Sequence, residues 1–548
     1  MSSTTEHSAS SSRPTIAIIG AGAGGLAFAI ALKQKLGYEN FVIYEKASDV
    51  GGTWRDNTYP GCTSDVSTAF YSLSTDLHDW NGSHTSQEEL QNYWRKLTKK
   101  YGLLPHISFN HHVVSVDWNA ASNLYHLVLK NTISGDRRST TAHIVVSAIG
   151  ILEVPRFANI PGVKTFQGEM FHSARWNKSV DLKGKRVAVI GNGASATQFV
   201  PIISEDPSVQ ITQFCRTPNW YVAPTRFEYS NRRRWLLRNI PFLMRLQRWS
   251  IFMRLELVYF FIFKAKFFRP MIKKVSKTYI HRTAPKKYHE ELIPDYPVGC
   301  KRILIDTHYL AALHRPNLVL NWEGIESIAE TGIITKKGDE IPFDVLIFAT
   351  GYAADSYPIP VRGTMQTIQE YYEAEKGPKA YLGTTIPGFP NFFTIFGPNT
   401  ATGHTSVIYT NEVQVNYIIQ LIQPILARKV SSVEVKTGPT DKYNDKIHAR
   451  LSQSVFTQCL SWYRVGGEGK ITNIFPGAAT TFWLWLRKPN WDHYTGVGME
   501  GWRSLVKRKQ RLRQITLILM VSLCEYLRRS PHKLVGVSRM LSNFHIRF

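Results

Sequence analysis

The chain has 548 residues, 43% of them hydrophobic, and a mean hydropathy of −0.20. That is a globular balance with core enough for three or four compact units at roughly 150 residues each. Its net charge of +25 favours anionic partners such as nucleotide phosphates or acidic membrane surfaces, but no nucleic-acid motif accompanies it, so nucleic acid is not expected as a partner. Cys62, Cys215, Cys300, Cys459 and Cys524 form no C-x-x-C pair, which excludes a zinc knuckle or a dithiol centre read from spacing. An odd, scattered set fits a reducing, cytoplasmic compartment, and no metal site is expected.

The first residues, through Arg13, are polar and read as a disordered leader. Thr15–Ile19 is a buried-strand run, Gly20-Ala21-Gly22-Ala23-Gly24-Gly25 follows at once, and a helical pattern begins at Leu26. This is G-x-G-x-x-G between a strand and a helix, the context in which it binds a dinucleotide. Gly20 suits the tight turn, Gly22 the approach of backbone amides to a pyrophosphate, and Gly25 close helix packing. A second strand, Phe41–Tyr44, ends at Glu45, about where a ribose-binding acid is expected. Two glycine-containing loops follow, one with Thr53 and Trp54 and one running from Tyr59 to Asp65. Large aromatics beside glycines suit a planar ligand. His111–Trp118 and Tyr125–Lys130 read as paired strands. His111 and His112 face opposite sides of a strand, which argues against a shared metal. Thr141–Gly150 reads as a further buried strand.

Lys185–Ile190 and Gly191-Asn192-Gly193-Ala194-Ser195-Ala196 repeat the strand and loop, with Ala in the third glycine place. The next strand ends in Cys215-Arg216-Thr217 rather than an acid. A cation with a hydroxyl suits a ribose 2′-phosphate, so this second site is read as NADPH-binding and the first as FAD-binding. Together they imply hydride transfer from nicotinamide to flavin and onward.

From Arg232 to Lys277 the chain is rich in aromatics and cations, with Glu256 its only acid. Its longest uncharged apolar run, Leu257–Phe263, is far short of the ~20 residues a spanning helix needs. Arg238, Arg245 and Glu256 share one helical face and Arg254 lies nearly opposite, so the amphipathicity is imperfect. Two readings stand: a helical insertion over the active site, or a membrane-surface and substrate-access lobe. The basic run Lys507–Arg513 precedes Ile515–Leu523, which is likewise too short to span and is read as docking or lying on a membrane. Lys301-Arg302 opens an apolar run. Asp344–Tyr352 is a buried strand expected to return the chain to the first nucleotide fold. Phe396–His404 is a glycine-containing loop, with a helix expected from about Glu412 to Ile422, before Pro424.

Between the two nucleotide loops stand Phe166, Gly168, His172 and Trp176, in the pattern F-x-G-x-x-x-H-x-x-x-W. With the GGTW loop, the YPG-x-x-x-D loop, the Lys-Arg pair and the Ala349-Thr350-Gly351 strand end, the sequence resembles the class B flavoprotein monooxygenases of Baeyer–Villiger type, from about Arg13 to Trp491. Asn177 departs from the Pro or Asp usual after the Trp. The resemblance implies FAD and NADPH as cofactors and dioxygen and a hydrophobic ketone as substrates. It implies Arg302 as the active-site arginine paired with Asp65, and Lys301, Arg216 and Thr217 around the 2′-phosphate. It also implies Tyr71, Val114 and Asn399 among the cofactor-binding residues, with Gly191, Gly193 and Ser195 at the second loop. His172 is read as coupling domain movement to the flavin site, and Trp176 as a packing anchor. The apolar middle lobe points to a ketone of polyketide, terpenoid or steroid type, and to secondary metabolism. The alternatives are a hydroxylating or N/S-oxidising enzyme on the same scaffold and, more distantly, an FAD/NADPH disulfide reductase.

The expected architecture is α/β, with two Rossmann-like dinucleotide-binding domains, the second inserted in the first, and a helical insertion. Residues 1–13 are the leader and 14–150 the first segment of the FAD domain. Residues 151–180 are a linker carrying the fingerprint, and 181–340 the NADPH domain with an insertion at about 228–285. Residues 341–500 are the return segment and 501–548 a basic tail.

Overall fold

The structure, a computed structural model, describes residues 13–529. The expected leader thus lies outside the described residues except for Arg13, as does the tail beyond residue 529. Four buried aliphatics form strand β1 (Ile16–Ile19), and helix α1 (Ala23–Leu36) follows the first glycine loop. Gly22 caps α1 without a side-chain bond, leaving its first amides available. Gly25 packs so closely on the Gly20 carbonyl that any Cβ would collide with it. β2 (Phe41–Tyr44) and β3 (Ile107–Ser108) precede an antiparallel meander of β4 (His111–Asn119), β5 (Leu124–Asn131) and β6 (Arg137–Ala142). β7 (Ile144–Ser147) ends this first half.

The second half begins with β8 (Glu169–His172), β9 (Arg186–Ile190), α2 (Ala194–Ile203) and β10 (Gln210–Phe214). Three helices follow, α3 (Asn231–Asn239), α4 (Pro241–Tyr259) and α5 (Arg269–Thr283). The chain then forms β11 (Leu318–Asn321), β12 (Val345–Phe348), β13 (Val361–Arg362) and β14 (Phe392–Thr394). It closes with α6 (Val407–Leu426), α7 (Ala479–Leu486) and the long α8 (Met499–Arg529).

Two all-parallel sheets result, ordered β14-β7-β1-β2-β3 and β11-β10-β9-β12-β8. Each is a doubly wound nucleotide fold whose glycine loop leaves the C-terminal end of its central strand, where such folds bind ligands. α1 and α6 pack together, with Gly24 of α1 close to the Asn411 side chain of α6, which fixes the first loop against the returning chain.

Three expectations are corrected. Asp344–Tyr352 does not return the chain to the first fold: β12 lies between β9 and β8 in the second sheet, and the return strand is β14. A buried aliphatic strand fits the middle of either sheet, so its sequence carries no address. The stretch Phe166–Trp176 is not a free tether, because β8 is the edge strand of the second sheet, in parallel register with β12. α6 runs through Pro424 to Leu426 rather than stopping before it. In the last turn the proline forfeits a single intrahelical bond, to the Gln420 carbonyl, and burial outweighs that loss. Ile515–Leu523 lies within α8, and no described helix is long and apolar enough to cross a membrane.

Candidate active site

A cavity of about 400 Å³ opens at the C-terminal end of the first sheet. Gly20 and Gly22 line it at the N-terminus of α1, and Glu45, Thr53, Trp54 and Tyr71 line its length. Glu45 is buried, and its carboxylate accepts hydrogen bonds from Ala21 N at 2.8 Å and from Arg55 Nη1 at 2.7 Å. Arg55 carries no motif, yet it braces this acid. Trp54 and Tyr71 meet edge to face at 5.5 Å on the cavity wall, and burial pushes the Tyr71 hydroxyl up to about 12.

Two sequence-expected cofactor residues do not line this cavity. Val114 falls at a β-bulge between Val113 and Ser115, and its neighbour Val113 lines the cavity instead. The bulge shifts the strand's alternation by one residue, which spacing alone does not reveal. Asn399 is buried outside the cavity and donates to the Ile471 and Ile474 carbonyls, both at 3.0 Å. It pins a loop.

At the second loop, Gly193 caps α2, again with no side-chain bond. Gly191 and Ser195 flank it, and Ser195 lies beside the Tyr59 hydroxyl. Lys301 Nζ donates to Thr217 Oγ1 at 2.7 Å and sits 4.8 Å over the Tyr296 ring. Burial, and then the nearby Arg216, push Lys301 down to about 8. Neither cation joins an ion pair among the described residues, and the two repel each other. An anion placed here would relieve that repulsion and gain charge-assisted hydrogen bonds from both.

Between the two sites, Arg302 Nε lies 3.4 Å from Asp65 Oδ2. Gln198 of α2 donates to Asp65 Oδ1 at 3.2 Å and accepts from the Tyr59 hydroxyl at 2.9 Å. Arg226 Nη2 stands 3.8 Å from Asp65, and burial pushes this guanidinium down. One carboxylate from the first unit therefore faces two guanidiniums and an amide from the second. Tyr71 feels both Arg302 and Asp65, which ties the pair to the wall of the first cavity. Gln198 and Arg226 went unnoticed in the sequence, because neither stands in a spacing motif; Arg226 lies just before the insertion.

The fingerprint residues form a second contact region. A Cβ on Gly168 would stand 2.6 Å from the Asp344 carbonyl and 2.7 Å from the Phe166 ring, so any side chain there must displace its neighbours. Burial, with Arg175 nearby, pushes His172 down to about 4, and its Nδ1 accepts from Ala174 N. A neutral imidazole at the end of β8, beside the rings of Phe157 and Tyr352, is placed for packing and not for proton transfer to Asp65 or Arg302. Trp176 packs on Phe171 and Phe199, both at 5.2 Å.

The cysteines depart from expectation. Cys300 and Cys459 form a disulfide across 159 residues, next to Lys301 and Arg302, while Cys62, Cys215 and Cys524 are free. A pairing so distant in sequence leaves no spacing signal, and it conflicts with an all-thiol reading. The disulfide does not line the first cavity, unlike the redox pair a disulfide reductase needs beside its flavin.

Residues 17–230 match the family model for pyridine nucleotide-disulphide oxidoreductases. The chain is 37% identical over 476 residues to a Baeyer-Villiger monooxygenase of Pseudomonas aeruginosa, spanning 85% of this chain and 88% of that one. It is 34% identical over 486 residues to a Baeyer-Villiger monooxygenase of Streptomyces coelicolor, spanning 87% and 91%. A solved structure of OTEMO in complex with FAD and NADP superposes with a TM-score of 0.77 at 25% identity, over 87% of this chain and 97% of that one. These relatives put the two dinucleotide folds in a class B flavoprotein monooxygenase. Within that class, the chain belongs to the Baeyer–Villiger monooxygenases.

Proposed function

We propose that the chain uses FAD, NADPH and dioxygen to insert one oxygen atom beside the carbonyl of a hydrophobic ketone, giving an ester or lactone. The observation that carries this reading is the Arg302–Asp65 pair at 3.4 Å, beside Tyr71 and between the two nucleotide loops.

The residues present fit both cofactors. The uncapped N-terminus of α1 offers free amides to a pyrophosphate, Glu45 would meet the ribose, and Trp54 and Tyr71 line the 400 Å³ cavity, where a planar ring system would lie. The unpaired Lys301 and Arg216, with Thr217, fit a 2′-phosphate and so NADPH over NADH. When bound, FAD would take a hydride from NADPH and supply the reduced ring that activates dioxygen.

The rest is the work of this chain's side chains. The Arg302 guanidinium would stabilise the negative charge that develops as the ketone carbonyl is attacked. Asp65 orients the guanidinium, and Gln198, itself held by the Tyr59 hydroxyl, holds Asp65 in turn. Val66, Phe70 and Tyr409 pack with Phe252 of α4 beside Asp65, an apolar wall that keeps water from the reacting groups. That wall favours an apolar substrate, in keeping with a secondary-metabolite ketone.

Purified protein should carry the visible spectrum of FAD and consume NADPH in a ketone-dependent, dioxygen-dependent way. Carbon-13 spectra of products from cyclic and aryl ketones decide the chemistry, since insertion creates an ester carbonyl. Products with an added hydroxyl, N-oxide or sulfoxide and no ester would overturn the proposal.

A further inference from the structure

The insertion helix α4 is apolar on two sides. Its inner side packs Ile251, Phe252 and Leu255 against Val66, Ala69 and Phe70, next to Asp65 and Tyr71. Just beyond its end, Ile262 lies so close to Gly299 that a Cβ there would stand 2.8 Å from it, beside Cys300, Lys301 and Arg302. The lobe therefore roofs both partners of the Asp65–Arg302 pair. Its outer side carries Phe242, Leu246, Trp249, Met253 and Leu257, with Phe260 at the C-cap, and all six are exposed. They recur every three or four residues, so they form one stripe on the helix. Trp249 is 60% exposed and Phe242 68%, and it is their contiguity with the rest of the stripe that marks the surface. Phe267, just before α5, and Met271 and Val275 on it are exposed apolar residues as well.

The charges around this stripe have one sign. Residues 231–283 hold fourteen lysines and arginines and a single acid, Glu256. Glu256 is turned inward, bonded to His404 and to the Ala479 and Thr480 amides. Arg245, Arg254, Lys264 and Lys274 are exposed and join no ion pair among the described residues. A second copy of the chain would bring the same cations face to face, which disfavours a symmetric dimer through this surface.

We propose that the outer face of α4 and α5 is a docking surface for a membrane rich in anionic phospholipid. Phe and Trp enter the headgroup boundary, and the flanking cations meet lipid phosphates and carboxylates. The lobe lies flat, since nothing in it is long enough to span. Docking there would set the candidate active site one helix thickness from a reservoir of lipophilic ketone. The surface stands whether or not the proposed ester-forming chemistry holds.

The test is sedimentation of the full-length, flavin-loaded protein with vesicles of phosphatidylcholine alone or doped with phosphatidylserine. Binding is expected only to the doped vesicles, weakening as salt rises. The double variant Trp249→Ser/Leu257→Ser should bind about tenfold or more weakly, and Arg245→Ser/Arg254→Ser should bind weakly with a flatter salt dependence. Both should keep the wild-type flavin spectrum and NADPH oxidation, which separates lost docking from lost folding. Wild-type protein that ignores doped vesicles, including one that binds polyglutamate instead, would overturn the proposal. So would serine variants that bind like wild type, stripe variants that merely convert a dimer to a monomer, or loss of binding on truncating α8 with the stripe intact.

Discussion

Lys301 gives the sharpest test of the second nucleotide site. It donates to Thr217 Oγ1 at 2.7 Å, and burial and Arg216 push it down to about 8. Replacing it with alanine removes one charge-assisted hydrogen bond to a 2′-phosphate, worth about 1.5–3 kcal/mol, or roughly ten- to a hundredfold in Kd. NADH lacks that phosphate and should bind the variant nearly as it binds wild type. The pH dependence follows from the same charge. Lys301 is an ammonium below about 8, so NADPH affinity should hold below that pH and fall as pH rises through it. Stability runs the other way. The folded value is depressed below the ordinary 10.5, so between about 8 and 10.5 the unfolded chain binds more protons and the fold gains stability with rising pH. Lys301→Ala should flatten both trends. Anaerobic stopped-flow flavin reduction with NADPH and NADH, on both sides of pH 8, measures the first, and thermal unfolding the second. Equal loss of affinity for the two nucleotides, or a wild-type Kd for NADPH that is flat through pH 8, would refute the reasoning.

Arg302→Ala should keep its FAD spectrum and its NADPH oxidation but lose about 10²–10³ in ester formation, with the reducing equivalents appearing as hydrogen peroxide; coupled product at the wild-type rate would contradict the proposed role. Gly168→Ala should cost about 1–3 kcal/mol of stability through overpacking against Asp344 and Phe166, and an unshifted Tm would disprove the contact argument. Despite the cost of burial, hydrogen bonds from His404, Thr480 and the Ala479 and Thr480 amides hold the Glu256 carboxyl down to about 2. Its stabilisation is present above the unfolded value of 4.5 and lost as pH falls through about 2; Glu256→Gln should abolish that acid dependence and speed amide exchange at Ala479 and Thr480, while unchanged exchange would sink it. Alkylation of the denatured chain without reductant should label three cysteines, Cys62, Cys215 and Cys524, and five after reduction; five labelled at once would remove the disulfide.

Local signals carried the two nucleotide folds. Ile16–Ile19, the glycine loop and α1 read as strand, turn and helix because each depends on near neighbours, and the same holds for Arg186–Ile190 and α2. Sheet membership is not local. β12 and β8 are short and apolar at their cores, and only the assembled chain decides that they pair with each other. The site divides in the same way. Asp65 and Arg302 stand in motifs, and the structure brings them together. Gln198 and Arg226 reach Asp65 from α2 and from the loop before the insertion, with no pattern to announce them. Asn399 stands in a glycine loop, and only the structure shows that its Nδ2 holds two backbone carbonyls while its buried Oδ1 has no partner among the described residues.

The fingerprint stretch shows what that difference means for mechanism. As an edge strand, Glu169–His172 moves with the second sheet and cannot flex independently. Its C-terminal end reaches the first unit by two routes. His172 meets the Tyr352 ring at 6.1 Å, and the Tyr352 hydroxyl donates to Asn57 at 2.7 Å. Trp176 packs on Phe199 of α2 at 5.2 Å, and Phe199 meets Tyr59 at 6.0 Å, at the head of the loop that ends in Asp65. Any rotation of the second sheet against the first must slide both contacts, and one of them bears on the loop that orients the Asp65–Arg302 pair. Rotation that repositions a nicotinamide would then also reset the carboxylate, and we propose that the stretch is a rigid lever between the two sites and not a flexible joint.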